Sequence, residues 1–141
     1  MEYDRKMLEE WSKMSDWGDY LIKNGGLNKY SSKEGFQFLQ NQYYAEVKRR
    51  ISYCKKLLKE HEDVFLYYVI AELYDRCNED ESPAFLYKRS VRYYCLRAFE
   101  IDPDFTPAKE LLQRAINWVE LLGGDDRKNI IPDLNIDFNH N

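Results

Sequence analysis

Histidine, cysteine, proline and glycine are all scarce in this chain of 141 residues, at two, three, four and six copies. Two histidines leave little material for acid–base or metal chemistry. His61 sits among Glu60, Glu62 and Asp63, where a solvated place at a helix end accounts for it, and His140 lies in the C-terminal tail. No HExxH, no histidine near a cysteine and no Asp/Glu–His spacing suited to zinc or a di-iron centre occurs. Cys54, Cys77 and Cys95 show no CxxC spacing and form an odd set. That points away from a disulfide framework and towards free, buried thiols in a reducing compartment. Gly25-Gly26 and Gly123-Gly124 stand where helical patterns stop, and neither belongs to a phosphate-cradling loop, which needs a preceding strand and a spaced Lys-Ser/Thr. The N-terminal MEYDRKMLEEW is charged and lacks the apolar core of a secretory signal. No stretch approaches the roughly 18 apolar residues that a membrane span requires. The expected location is the cytoplasm, with no cofactor or metal.

What is abundant is charge and tyrosine. Charged residues make up 33% of the chain and apolar ones 44%, and twelve tyrosines lift the aromatic share to 16%. So much charge suits thin helices with large solvent-facing surfaces. Tyrosine buries a ring while its hydroxyl seeks a partner, so it belongs at core edges and interfaces. The net charge of −4 argues against nucleic acid as the main partner, because phosphate neutralisation needs a basic surface. It fits an acidic protein that stays soluble, or one that meets a basic partner. The length predicts one domain.

Apolar periodicity predicts an all-α fold of about five helices with an extended tail. Met7, Trp11, Met14 and Leu21 form one stripe, flanked by Leu8 and Trp17, for a helix over 4–23 that ends at Asn24-Gly25-Gly26. Residues 24–32 read as a loop, with Ser31 or Ser32 capping the next helix. Tyr44, Val47, Ile51, Cys54 and Leu58 give that helix one apolar face, to about residue 60. Residues 64–77 (VFLYYVIAELYDRC) are apolar nearly all round. A buried strand would tolerate their Val, Ile and Tyr, but length and helical neighbours favour a central buried helix. After the acidic loop 78–83, Ser82-Pro83 starts a helix carrying Ala84, Tyr87, Val91, Tyr94 or Cys95, and Ala98. Thr106-Pro107 starts another, with Ala108, Leu111, Leu112, Ala115, Ile116, Val119 and Leu122 on its stripe. The helical domain therefore spans 1–124, and 125–141 form a loosely docked extended or disordered tail.

A repeat emerges in the middle. Tyr67, Ile70, Ala71 and Tyr74 carry the large, Leu-like, small and aromatic sizes of one helix A. Val91, Cys95 and Ala98 fall at small–large–small positions of the following helix B, and Ile101-Asp102-Pro103 closes the unit. With these spacings residues 43–122 resemble the tetratricopeptide repeat family: a preceding helix B, one full unit and a following helix A. The turn between helices A and B is longer than the family's, and Arg50 stands where a small residue is usual. The resemblance implies a concave side, lined by A helices, on which partner segments dock. Carried over position by position, that side presents Phe65, Tyr68, Glu72, Asp75 and Arg76, then Glu110, Arg114, Asn117 and Trp118. Such a mixture of aromatics, carboxylates and arginines is what specific protein contacts use. Trp118 lies off the main stripe, which marks it as an anchor or as a packing partner of the tail.

With no nucleophile or acid–base set, the chain reads as a non-catalytic protein-binding module. Its size and charge suit a dedicated partner protein, such as an immunity or antitoxin protein or a small chaperone, binding another protein that is basic. The alternative is nucleic-acid binding by the basic B helices, through Lys48, Arg49, Arg50, Lys55, Lys56, Lys59, Lys88, Arg89, Arg92 and Arg97 with interleaved tyrosines.

Overall fold

The structure, a computed structural model, describes residues 2–26, 32–77 and 88–121. Among the described residues there are six helices and no strand: α1 (Arg5–Ser12), α2 (Trp17–Lys23), α3 (Lys33–Leu58), α4 (Val64–Arg76), α5 (Arg89–Ile101) and α6 (Thr106–Leu121). The expected acidic loop with its Ser82-Pro83 start, Ala84, Tyr87, Leu122, the Gly123-Gly124 stop and the tail with His140 lie outside the described residues.

The single helix expected over 4–23 is two helices. Asp16 takes an extended conformation and its carboxylate accepts the Asp19 N–H at 2.9 Å, which caps α2 and interrupts the helical ladder. The Ser12 hydroxyl donates to the Glu9 carbonyl at 2.7 Å in the last turn of α1, a local bond that competes with a continuing helix. Gly18 lies within the first turn of α2, beyond the break. Gly25 and Gly26, at φ 101° and 58°, occupy the left-handed conformations that end α2 cheaply only for glycine. On α1 the buried residues are Leu8 and Ser12, while Met7 and Trp11, and Met14 just beyond the helix, are half-buried.

Ser32 caps α3 by accepting the Gly35 N–H at 3.0 Å, and Asp63 caps α4 by accepting the Leu66 N–H at 2.8 Å. The α3 face has Val47, Ile51 and Cys54 buried as expected, but Tyr43 and Leu57 are buried in place of their neighbours Tyr44 and Leu58. Residues 64–76 form a helix, and eight of its side chains are buried: Phe65, Leu66, Tyr67, Val69, Ile70, Ala71, Glu72 and Leu73. A helix apolar nearly all round must be covered on several sides, and α4 is: α1, α3, α5 and α6 all contact it. Helix α6 also packs on α5, and α2 rests on α3. Each fully buried Leu, Ile or Val along this centre contributes on the order of 1.5–3 kcal/mol. On α5 the stripe Val91, Tyr94, Cys95 and Ala98 is buried, and on α6 Ala108, Leu111, Ala115 and Val119 are buried as their spacing predicts, whereas Leu112 and Ile116 of the same expected stripe are only half-buried.

Candidate interaction surface

Phe65, Tyr68, Glu72 and Arg76 recur at three- and four-residue steps and so share one face of α4. Glu72 is the hub of that face. The residue is only 5% exposed. It accepts the Tyr68 hydroxyl at 2.5 Å, Arg76 Nη1 at 2.9 Å and Arg114 Nη2 at 3.3 Å to each oxygen. Arg76 Nη1 also donates to the Glu72 carbonyl at 2.9 Å, and Arg76 Nε donates to the carbonyl of Met14. A buried carboxylate is tolerated when its lone pairs are met by charged donors in this way. Burial, reinforced by the bond to Glu72, raises the Tyr68 hydroxyl above the ordinary tyrosine range, so it stays a donor. The Arg5 guanidinium lies 3.6 Å over the Phe65 ring, and the Tyr68 ring leans on Phe105 at 5.6 Å between centroids.

These contacts sort the expected docking residues. Phe65 and Glu72 are buried, because α1 and its following loop cover the face of α4 that the repeat resemblance would leave open. Tyr68, Asp75 and Arg76 are half-buried, whereas Glu110, Arg114 and Asn117 are exposed. Trp118 is 36% exposed. A cleft of about 400 Å³ joins part of the set, with Asp75, Arg76 and Trp118 beside Asp16, Trp17, Tyr44 and Lys88. Lys88 spans it, 3.4 Å from an Asp75 carboxylate oxygen and 5.0 Å from the Trp118 ring centre. Glu110 and Asn117 line no part of that cleft, and Asn117 instead accepts from Gln113 at 2.9 Å along α6.

Lys88, Trp17 and Tyr44 are absent from the docking set expected from the sequence, which places Lys88 only among the basic B-helix residues. Lys88 precedes α5 in a left-handed conformation at φ 53°, which no residue pattern announces. The Tyr68–Glu72–Arg76 ladder, by contrast, is an i, i+4 series visible in the sequence. Arg92, expected on the basic outer face of α5, is 1% exposed and so turned away from any phosphate. Cys54 and Cys95 are fully buried, and burial pushes the Cys54 thiol up to about 12. Among the described residues no group of three His, Cys, Asp or Glu side chains is placed to hold a metal, and no helix is long and apolar enough to cross a membrane.

No known protein family matches the chain, and comparison with curated proteins and with solved structures finds no match.

Proposed function

We propose that this chain is a non-catalytic protein-binding module that docks its partner on the exposed face of α6 and the cleft beside it. The observation that carries this reading is Trp118, a part-exposed indole at the edge of a cleft of about 400 Å³ ringed by Asp75, Arg76 and Lys88. An aromatic anchor set among charges of both signs is the composition of interface hot spots. Glu110, Arg114 and Asn117 extend the surface along α6 with polar groups suited to a rim. Tetratricopeptide-like stacking of α3 to α6 is part of the proposal, supported by each helix packing on the next and by α4 also touching α6. A dedicated role, as an immunity or antitoxin protein or a small chaperone, suits the charge of −4 and a basic partner steered by it.

The test is cross-linking of the tagged chain in its source cells, followed by mass spectrometry. A stoichiometric protein partner linked through Lys109 or Lys88 supports the reading. Links confined to α3, or no stoichiometric protein, counts against it.

A further inference from the structure

We propose that a second site, the groove between α3, α4 and α5, receives an acidic amphipathic helix from a partner protein. This groove lies apart from the α6 surface and does not depend on it. It encloses about 460 Å³, and no described carboxylate lines it. Its floor is formed by Tyr67, Tyr74, Tyr93 and Tyr94, with Ile51 and Cys77. Its rim carries Lys48, Lys55, Lys56 and Lys59 from α3 and Arg97 from α5. Such a concentration of cations runs against the sign of a chain whose net charge is −4.

The lysines are laid out for an elongated ligand. Positions 48, 52, 55 and 59 follow helical steps of four, three and four, so Lys48, Ser52, Lys55 and the cap residue Lys59 run as one row along α3, about 16 Å from end to end, with Lys56 beside it. A partner helix with carboxylates on successive turns has the same repeat. Lys48, Lys56 and Lys59 are exposed and form no ion pair with any described residue, so an incoming carboxylate displaces no existing partner. Arg97 is differently placed, being engaged with Glu62 at 3.3 Å and with Glu100, and it closes the groove rather than recruiting the ligand.

The floor decides between peptide and nucleic acid. Tyr67, Tyr93 and Tyr94 are 4%, 2% and 2% exposed, and Tyr74 stacks on Tyr94 at 5.6 Å with a 13° tilt. Lys55 lies 5.0 Å from the Tyr74 ring. The ring faces are therefore spent on one another, and nucleobases would find no stacking platform. The half-buried Tyr74 and Leu58 and the aliphatic stems of the lysines line the opening, which suits the leucine or phenylalanine anchors of an amphipathic helix flanked by glutamates.

The test uses the full chain and a fluorescein-labelled helical peptide of about 16 residues, with glutamate on one face and leucine on the other. Anisotropy should show saturable binding, and nitrogen–proton correlation spectra should shift at Lys56, Lys59 and their α3 neighbours. The K56E/K59E double variant, altered only at exposed positions and checked by circular dichroism, should bind at least roughly tenfold more weakly. The same peptide with glutamine for every glutamate should lose affinity to a similar degree, while Trp118→Ala should leave it unchanged. No saturable binding, equal binding by the double variant or by the glutamine peptide, or loss on Trp118→Ala overturns the proposal. Tighter binding of an oligothymidylate of matched length also overturns it, and assigns the groove to single-stranded nucleic acid.

Discussion

Arg114 on α6 reaches both carboxylate oxygens of Glu72 on α4, at 3.3 Å each, and so ties an exposed helix face to the buried centre of the molecule. The two ends of this bond are energetically unequal. The Glu72 side chain is 6% exposed and that of Arg114 is 58% exposed. Removing the carboxylate strands the Tyr68 hydroxyl and takes one of three acceptors from Arg76, so Glu72→Ala should cost about 2–4 kcal/mol. Arg114→Ala leaves Glu72 with two other donors and should cost under about 1 kcal/mol. Urea denaturation of the two variants checks the ratio, and equal losses would contradict the hub.

Arg76 fastens the N-terminal segment by donating to the Met14 carbonyl. Arg76→Met keeps the aliphatic stem but removes that bond and the two to Glu72. The expected loss is about 1–3 kcal/mol. Hydrogen exchange should accelerate across residues 5–12 while the amides of α4 and α5 stay protected relative to them. Uniform acceleration throughout the chain would show that α1 is not held by this contact.

Glu46 makes a pH-dependent contribution. Hydrogen bonds from Arg49, then Arg50, hold its carboxyl down to about 2, against some opposing desolvation. The folded value lies below the ordinary glutamate range, so the stabilisation is present above that range and fades as pH falls towards 2. The Glu46 side chain is 34% exposed, and solvent screening limits the effect to roughly 1 kcal/mol or less. Glu46→Gln should therefore flatten the acid limb of a stability–pH curve without changing its shape near neutrality. An unchanged acid limb would refute the pairing as a source of stability.

Cys54 and Cys95 should be chemically silent in the native protein. Burial raises the Cys54 thiol to about 12 and lifts that of Cys95 as well, with the Glu72 and Asp75 carboxylates adding to the latter. Thiolate is the reactive form, so labelling by an aromatic disulfide reagent should proceed at these two sites no faster than the protein opens. In denaturant all three thiols should react promptly. Rapid native labelling at Cys54 would mean that α3 is less firmly packed than described.

Much of the core was legible because helical spacing alone selects it: Val47, Ile51 and Cys54, then Val91, Cys95 and Ala98, then Ala108, Leu111, Ala115 and Val119 are all buried. Period could not choose between Tyr43 and Tyr44, since adjacent tyrosines differ by only about 100° around the axis. Tyr43 wins because its hydroxyl donates to the Ser15 carbonyl at 2.6 Å, a bond from α3 to the segment between α1 and α2. The break before α2 went unseen for a related reason: Asp16 caps it, while the more conspicuous Gly18 is simply carried within the helix. The proposed docking face was half legible. Its residues do share one side of α4, but nothing local states that α1 folds back over Phe65 and Glu72, or that Arg92 turns inward. Coverage of a helix face is decided by distant segments, and a single-helix pattern carries no record of it.

The most direct measurement of the binding role is quantitative capture from source cells with the wild-type chain beside Trp118→Ala and N117A/R114A variants, each confirmed folded by circular dichroism. The wild type should retain one protein at near-equal molar ratio, and each surface variant should lose most of it while keeping its helicity. Retention of the same protein by both variants would place docking elsewhere, and capture of no stoichiometric protein by the wild type would contradict the proposed binding role itself.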